Sequence, residues 1–290
     1  MLHHQHEKPT RPARVVVIGA GGFVGSAVAA ALARDGIPVL PLTRKEIDLL
    51  QPDAPQRLAG LLRADDHVVF VSALAPARTA SLLLQNLQMA EAVIRALAAQ
   101  PVAHLTYISS DAVYADDANP VTEQSVCQPS SLHGMMHAAR ELILKAEAKV
   151  PLAILRPSLL YGAGDPHNGY GPNRFRRLAR KGEAITLFGE GEEQRDHVHI
   201  DDVAEIVRLV VGHACRGVLN IATGTSTSFR TVAEKVVTHE GRPVEIRGTP
   251  RQNPITHRHF DVTASLKAFP QFRYTPLDAG LARSRAAEES

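Results

Sequence analysis

The first half of the chain alternates short apolar runs with longer stretches of helical periodicity. Arg14-Val-Val-Val-Ile18 is β-branched on both strand faces and ends at glycines, which predicts a buried strand. Residues 23–34 are Ala-rich and helix-forming, and Asp35-Gly36 ends the run. Residues 37–42 predict a second strand, irregular because it holds two prolines. A helix follows over 55–63 and a buried strand over 67–72. Residues 81–100 place Leu, Met, Val and Ile at spacings of three and four, a long amphipathic helix. A strand over 103–109, a helix over 131–150 and a strand over 152–156 continue the order. This alternation predicts an α/β fold with a parallel, doubly wound sheet.

After Pro157 the pattern loosens, and residues 162–173 are rich in Gly and Pro, a loop signal. The chain divides into a disordered polar tail (1–12), a first domain (13–157) and a smaller lobe (158–290). Residues of about 200–222 return to the first domain.

Composition narrows the classes. The 290 residues suit one large domain, or a main domain with a smaller one. With 44% hydrophobic and 21% charged residues the chain is not of disordered type. Aromatics at 4%, with no Trp, argue against a stacking platform for nucleic acid. A net charge of +2 gives no pull toward nucleic acid or a membrane surface. Two cysteines cannot build a disulfide framework and suit a reducing cytoplasm. No apolar run reaches the roughly 18–20 residues that span a bilayer, and the polar, His-rich N-terminus lacks a signal-peptide core.

The first strand runs into Gly19-Ala-Gly-Gly22-Phe23-Val24-Gly25, which opens the first helix. Glycines there let the backbone turn tightly and approach a pyrophosphate at the helix N-terminus. The frame predicts dinucleotide binding on a Rossmann sheet. NAD sites usually carry a carboxylate after the second strand. Here that strand ends Leu42-Thr43-Arg44-Lys45, with no acid before Glu46. Arg44 suits a 2′-phosphate, which favours NADP over NAD. Asp48 and Leu49 are placed to flank the adenine.

These residues resemble the extended short-chain dehydrogenase/reductase family, the NAD-dependent epimerases, dehydratases and reductases of nucleotide sugars. Ile108-Ser109-Ser110-Asp111-Ala112-Val113-Tyr114 and Arg156-Pro157-Ser-Leu-Leu-Tyr161-Gly162 match two of its strand signatures. Arg195-Asp196-His-Val-His199-Ile-Asp201 matches its late R-D-x-x-H-x-x-D motif, and Asn220-Ile-Ala-Thr-Gly224 the strand that follows. The resemblance covers roughly 14–240.

The family's chemistry implies a Tyr four residues before a Lys on one helix, with a Ser or Thr beside them. Ser110 matches the last of these, and Asp111 and Tyr161 lie in the matching signatures. In the matching helix, His133 and His137 stand where Tyr and Lys belong, although Gly134 and Glu141 keep the pattern. None of the five tyrosines has Lys four residues later. Three readings stay open. His133 serves as general acid/base in the tyrosine's place, with His137 against the cofactor ribose. Or hydride transfer is lost, leaving a dinucleotide-binding or regulatory protein. Or His133 and His137, one turn apart with Glu141 beyond, bind a metal; the favoured reading has none.

On the substrate side, the resemblance implies that Arg195 meets a nucleotide-sugar diphosphate, with Asp111, Asn173 and Tyr161 near the substrate. Leu159 stands where many nucleotide-sugar members have Asn, which admits more apolar substrates. The loop over 163–172 is expected to close over the site. Asp201 and Asp202 are expected to cap the next helix. The basic stretch 174–181 reads as a solvated helix face. A homodimer through the helices at 81–100 and 131–150 is implied by the resemblance.

Overall fold

The computed structural model describes residues 2–252 and 254–289. Met1 of the expected tail, and Asn253 and Ser290 of the expected second lobe, lie outside the described residues. In chain order the elements are β1 (Arg14–Ile18), α1 (Phe23–Arg34), β2 (Val39–Leu42), α2 (Ala54–Leu61), β3 (Asp66–Phe70), α3 (Ala80–Ala99), β4 (His104–Ile108), α4 (Leu132–Glu147), β5 (Leu152–Pro157) and β6 (Leu159–Tyr161). There follow α5 (Pro172–Lys181), β7 (Ile185–Phe188), β8 (Gln194–His199), α6 (Ile200–Gly212), β9 (Gly217–Ile221), β10 (Ser226–Ser228), α7 (Phe229–Glu240), β11 (Ile246–Thr249), α8 (Thr263–Ala268) and α9 (Leu277–Glu289).

Val15, Val16 and Val17 are all fully buried, so β1 needs a helix layer on each face. It has them in a parallel, doubly wound Rossmann sheet of order β2-β1-β3-β4-β5-β9. Val28 and Leu32 of α1 pack with Val203 and Val207 of α6 on one face. Leu58 of α2, Val93 and Leu97 of α3 and Leu144 of α4 pack on the other. Each such side chain contributes about 1.5–3 kcal/mol of burial. The chain winds to β2 on one side of β1 and crosses to β3 on the other, opening a crevice at the carboxyl ends of these strands. A smaller lobe lies beyond, with the sheet β10-β8-β6, the pair β11-β7, and a core of Phe175, Leu187, Phe229 and Val232.

Three expectations are corrected here. The N-terminal segment is not loose: His3 and Arg216 exchange backbone bonds, Gln5 and His6 donate to the His213 carbonyl, and Thr10 donates to that of Gly212. At the end of α6 the Leu209, Val210 and Val211 carbonyls take the amides of residues 213–215, and this segment supplies donors to the Gly212 and His213 carbonyls that remain. The helix expected to be capped by Asp201 and Asp202 starts earlier, with His199 Nδ1 accepting from the Asp201 amide at 3.3 Å. Asp202 is buried instead against the Thr275 amide (2.8 Å) and hydroxyl (2.7 Å). The basic stretch is only partly solvated. Arg176 is buried between Glu240 (3.3 Å) and Glu288 (2.8 Å), because α5 packs under α7 and α9.

Candidate active site

The glycine turn is shaped by close approach. Gly19 has φ +100°, and a Cβ there would lie 2.7 Å from the Ser72 amide nitrogen. A Cβ on Gly25 would run into the Gly19 carbonyl oxygen. Gly25 therefore lets α1 pack on the turn, and it does not line the site as expected. No side chain caps α1 at Gly22, so the start of the helix faces the crevice with open amide groups. The crevice is a cavity of about 920 Å³. Gly19, Gly22, Phe23, Val24, Arg44, Asp48 and Leu49 line one part of it; Ser110, Asp111, His133, His137 and Asn173 line another. The residues present fit a dinucleotide: a Cβ-free turn, an uncapped helix start, and a cation after β2.

Arg44 is largely exposed and meets the Asp48 carboxylate at 3.2 Å. Glu46 accepts from the Thr43 amide at 2.8 Å, which folds the end of β2 back on itself. The Glu46 carboxyl is held low by the Thr43 hydroxyl and amide. Asp48 is held low chiefly by the Leu50 amide, with help from Arg44.

α4 carries the two histidines. Ser131 caps it by accepting from the Gly134 amide at 3.1 Å. A Cβ on Gly134 would run into the Ala112 carbonyl oxygen, so glycine is needed for α4 to reach the Ser110–Ala112 turn. Ser110 itself accepts from the Ala112 amide at 3.1 Å. The rings of His133 and His137 meet edge to face, with centroids 4.8 Å apart. His133 Nδ1 is buried without a hydrogen-bond partner. Burial, then the nearby His167, holds the His133 imidazole below its ordinary value. His137 is deeper, and burial with His133 and Arg140 pushes it well down. Both rings are neutral near pH 7.

Glu141, the third ligand of the metal reading, is engaged elsewhere. Its carboxylate takes Nε (2.8 Å) and Nη2 (2.5 Å) of buried Arg156 and the Ser109 hydroxyl (2.7 Å). Arg156 also donates to the Tyr114 hydroxyl (2.8 Å), which donates to Asn220 (2.6 Å). This buried network pins α4, one turn beyond His137, to the end of β4, to β5 and to β9. Among the described residues, no three His, Cys, Asp or Glu side chains are placed to hold a metal ion.

Tyr161 and Arg195 are not brought to the cavity lining. Tyr161 is fully buried, edge-on to His199, with α9 so close that a Cβ on Gly280 would overlap its hydroxyl. Arg195 pairs with Glu193 and donates to the Thr256 hydroxyl at 3.1 Å. Asn173 does line the cavity, but its amide is used: Oδ1 accepts from Gly162 N (3.0 Å) and Nδ2 donates to Leu160 O (3.2 Å). It braces the loop at 160–162. Asp111 lines the cavity with Arg258 at 3.4 Å as counter-charge.

Sequence reasoning missed Ser72, Leu74, Met89, Asp165, His167 and Tyr170 in the cavity wall. The Gly/Pro loop was the available signal for the last three, since it supplies them. The Asp165 carboxylate accepts from the His167 and Asn168 amides, both at 3.1 Å, which gives this loop a fixed turn.

Residues 15–222 match the model of the NAD dependent epimerase/dehydratase family. A dTDP-6-deoxy-L-talose 4-dehydrogenase (NAD(P)(+)) of Kitasatospora kifunensis is 27% identical over 270 residues, 83% of each chain. A dTDP-L-rhamnose 4-epimerase of Burkholderia thailandensis is 32% identical over 148 residues, 48% of this chain and 41% of the relative's length. The fold is that of a Thermus thermophilus UDP-glucose 4-epimerase solved with NAD, at a TM-score of 0.84 and 20% identity, covering 96% of this chain and 99% of the other. It is also that of a GDP-L-fucose synthetase of Naegleria fowleri bound to NADP, at a TM-score of 0.83 and 16% identity, covering 96% and 94%. With the family model matching most of its length, and the glycine turn and paired signatures in their places, this chain belongs to the NAD-dependent epimerase/dehydratase family.

Proposed function

We propose that the chain is an NAD(P)-dependent oxidoreductase, epimerase or dehydratase acting on a nucleotide-linked sugar or a similar carbonyl or alcohol. His133 takes the place of the usual tyrosine. One observation carries this: the glycine turn, Ser110, His133 and His137 line a single cavity. The similarity to a talose dehydrogenase and a rhamnose epimerase supports the substrate class. The cofactor is NADP in preference to NAD, held by residues 19–24 with Arg44 toward the 2′-phosphate, while Asp48 and Leu49 flank the adenine.

A bound nicotinamide supplies the hydride exchange. The chain's own part is proton movement and placement. His133 is neutral near pH 7, so it accepts a proton from a substrate hydroxyl through its cavity-facing nitrogen. Ser110 orients the same oxygen. His137 offers a donor to the cofactor ribose.

Leu159 and Leu160 in the wall suit a substrate with an apolar face, such as a deoxysugar. The loop over 163–172 covers this end of the cavity and closes on the substrate. Two copies pair through α3 and α4, where Leu84 and Leu142 are more than half exposed. The protein works in the cytoplasm, where its two free cysteines stay reduced. Among the described residues no helix is long and apolar enough to cross a membrane.

A second reading, a dinucleotide-binding protein without hydride transfer, is favoured by the orphaned Nδ1 of His133. A general base needs a partner on its far nitrogen to orient it, and here none is placed. The His133→Ala variant separates the two. The enzyme reading predicts that reduction of oxidised nicotinamide by a nucleotide sugar with a free 4-hydroxyl falls about a hundredfold or more while nucleotide affinity stays unchanged. An unchanged rate sinks the catalytic role of His133.

A further inference from the structure

The helix position that the family gives to a lysine is held here by a buried imidazole, and what fixes its proton lies behind it. Tyr107 stands on β4, fully buried, with its hydroxyl 2.8 Å from His137 Nδ1. Among the described residues no other acceptor lies within hydrogen-bond distance of that hydroxyl. A buried phenol that fails to donate is costly. So Tyr107 donates, Nδ1 accepts with its lone pair, and the ring's own proton sits on Nε2.

Arg140, one turn further along α4, blocks the charged form. It is completely buried and donates to the Asn86 carbonyl (Nε, 2.8 Å) and the Ser72 carbonyl (Nη1, 2.8 Å). Its guanidinium also neighbours the Tyr107 hydroxyl and lies 5.0 Å from the centre of the Phe70 ring, and no carboxylate pairs with it among the described residues. The positive charge thus has no anionic partner in a medium of low polarity, where like charges repel strongly. The titratable and charged groups facing His137 are Tyr107 from β4 and His133 and Arg140 from α4. Glu141 is turned to Arg156 and Ser109.

We propose that Tyr107 and Arg140 lock His137 as the neutral tautomer protonated at Nε2, a fixed hydrogen-bond donor to the cavity. Tyr107 and Arg140 are positioning residues in this scheme. Neither lines the cavity, and both act through His137. What the donor meets rests on the dinucleotide reading above; the tautomer itself does not.

The test is a long-range proton–nitrogen correlation spectrum of protein labelled with nitrogen-15 in histidine, recorded without nucleotide from pH 8 to pH 5. The His137 signals are assigned by their loss in His137→Gln. The expected result is a protonated Nε2, an unprotonated Nδ1, and no titration down to pH 5. In Tyr107→Phe the ring is expected to populate both tautomers. In Arg140→Met its titration midpoint is expected to rise by about one pH unit or more. If Arg140→Met does not fold, the wild-type and Tyr107→Phe spectra decide, since the latter loses only one hydroxyl. A protonated Nδ1, or a His137 midpoint at about 6.5 in the wild type, overturns the proposal. Failure of NADPH to bind in a separate titration would count against the dinucleotide reading and leave the tautomer standing.

Discussion

Gly134 on α4 lies so close to the Ala112 carbonyl oxygen that no side chain fits between them. That contact sets how near His133 comes to Ser110. A Gly134→Ala change gains about 1 kcal/mol of helix propensity. It also forces a methyl against backbone atoms, and against Pro129 Cβ at 2.7 Å. Overpacking of this kind costs roughly 1–3 kcal/mol, and a fixed backbone neighbour puts it at the upper end. The variant is expected to be less stable by about 2 kcal/mol in urea unfolding. Equal or greater stability would show that α4 slides away freely.

Glu141 anchors α4 two turns beyond His133. It and Arg156 are both buried, so removing one charge strands the other. Burial alone would raise the Glu141 carboxyl, but the Arg156 and Ser109 hydrogen bonds bring it below the usual value. Glu141→Gln is expected to lose about 3–5 kcal/mol of stability. The measurement is a denaturant midpoint with unchanged slope. A loss under about 1 kcal/mol contradicts the network as drawn.

His104 at the start of β4 gives a pH dependence of definite sign. Burial, against the help of the Cys215 carbonyl, pushes it from 6.5 down to about 4. Between these values the unfolded chain takes up a proton that the folded one refuses. Stability is therefore full above about pH 6.5 and falls with decreasing pH toward 4, by about 1.4 kcal/mol per unit from this group. His104→Gln keeps a donor near the Cys215 carbonyl and removes the titration. Unfolding free energies from pH 7 to 4.5 should fall less steeply in that variant; parallel profiles would show that His104 does not set the slope.

Local geometry explains what was legible in the sequence. The helix over 23–34 and the glycine turn before it were readable because strand, turn and helix signals are contiguous there. Gly134 and the two histidines were readable because they share one helix. The misplaced residues all depend on partners distant in the chain. Tyr161 is enclosed by Gly280, Arg195 is drawn to Thr256, and Arg176 is buried by Glu240 and Glu288. No periodicity reports such pairings. Tyr107 and Arg140 escaped notice for the same reason. A strand tyrosine and a helix arginine look ordinary until the fold places them around His137.

Arg44 offers the direct test of cofactor choice. Its guanidinium is exposed and shares itself with Asp48, so the pairing in solvent is weak, about 0.3–0.5 kcal/mol. A 2′-phosphate is expected to displace Asp48. Arg44→Ala should weaken NADPH binding about tenfold or more and leave NADH nearly unchanged. Equal losses for the two nucleotides would assign Arg44 to the general electrostatics of the turn.

The proposed dinucleotide cavity beside the glycine turn, with His133 in its wall, is open to direct test. The most direct measurement is a fluorescence titration of the full chain with NADPH and with NADH, repeated on His133→Ala. The expected result is saturable binding, tighter for NADPH, that persists in the variant. Absence of saturable binding by either nucleotide in the wild-type chain would contradict it.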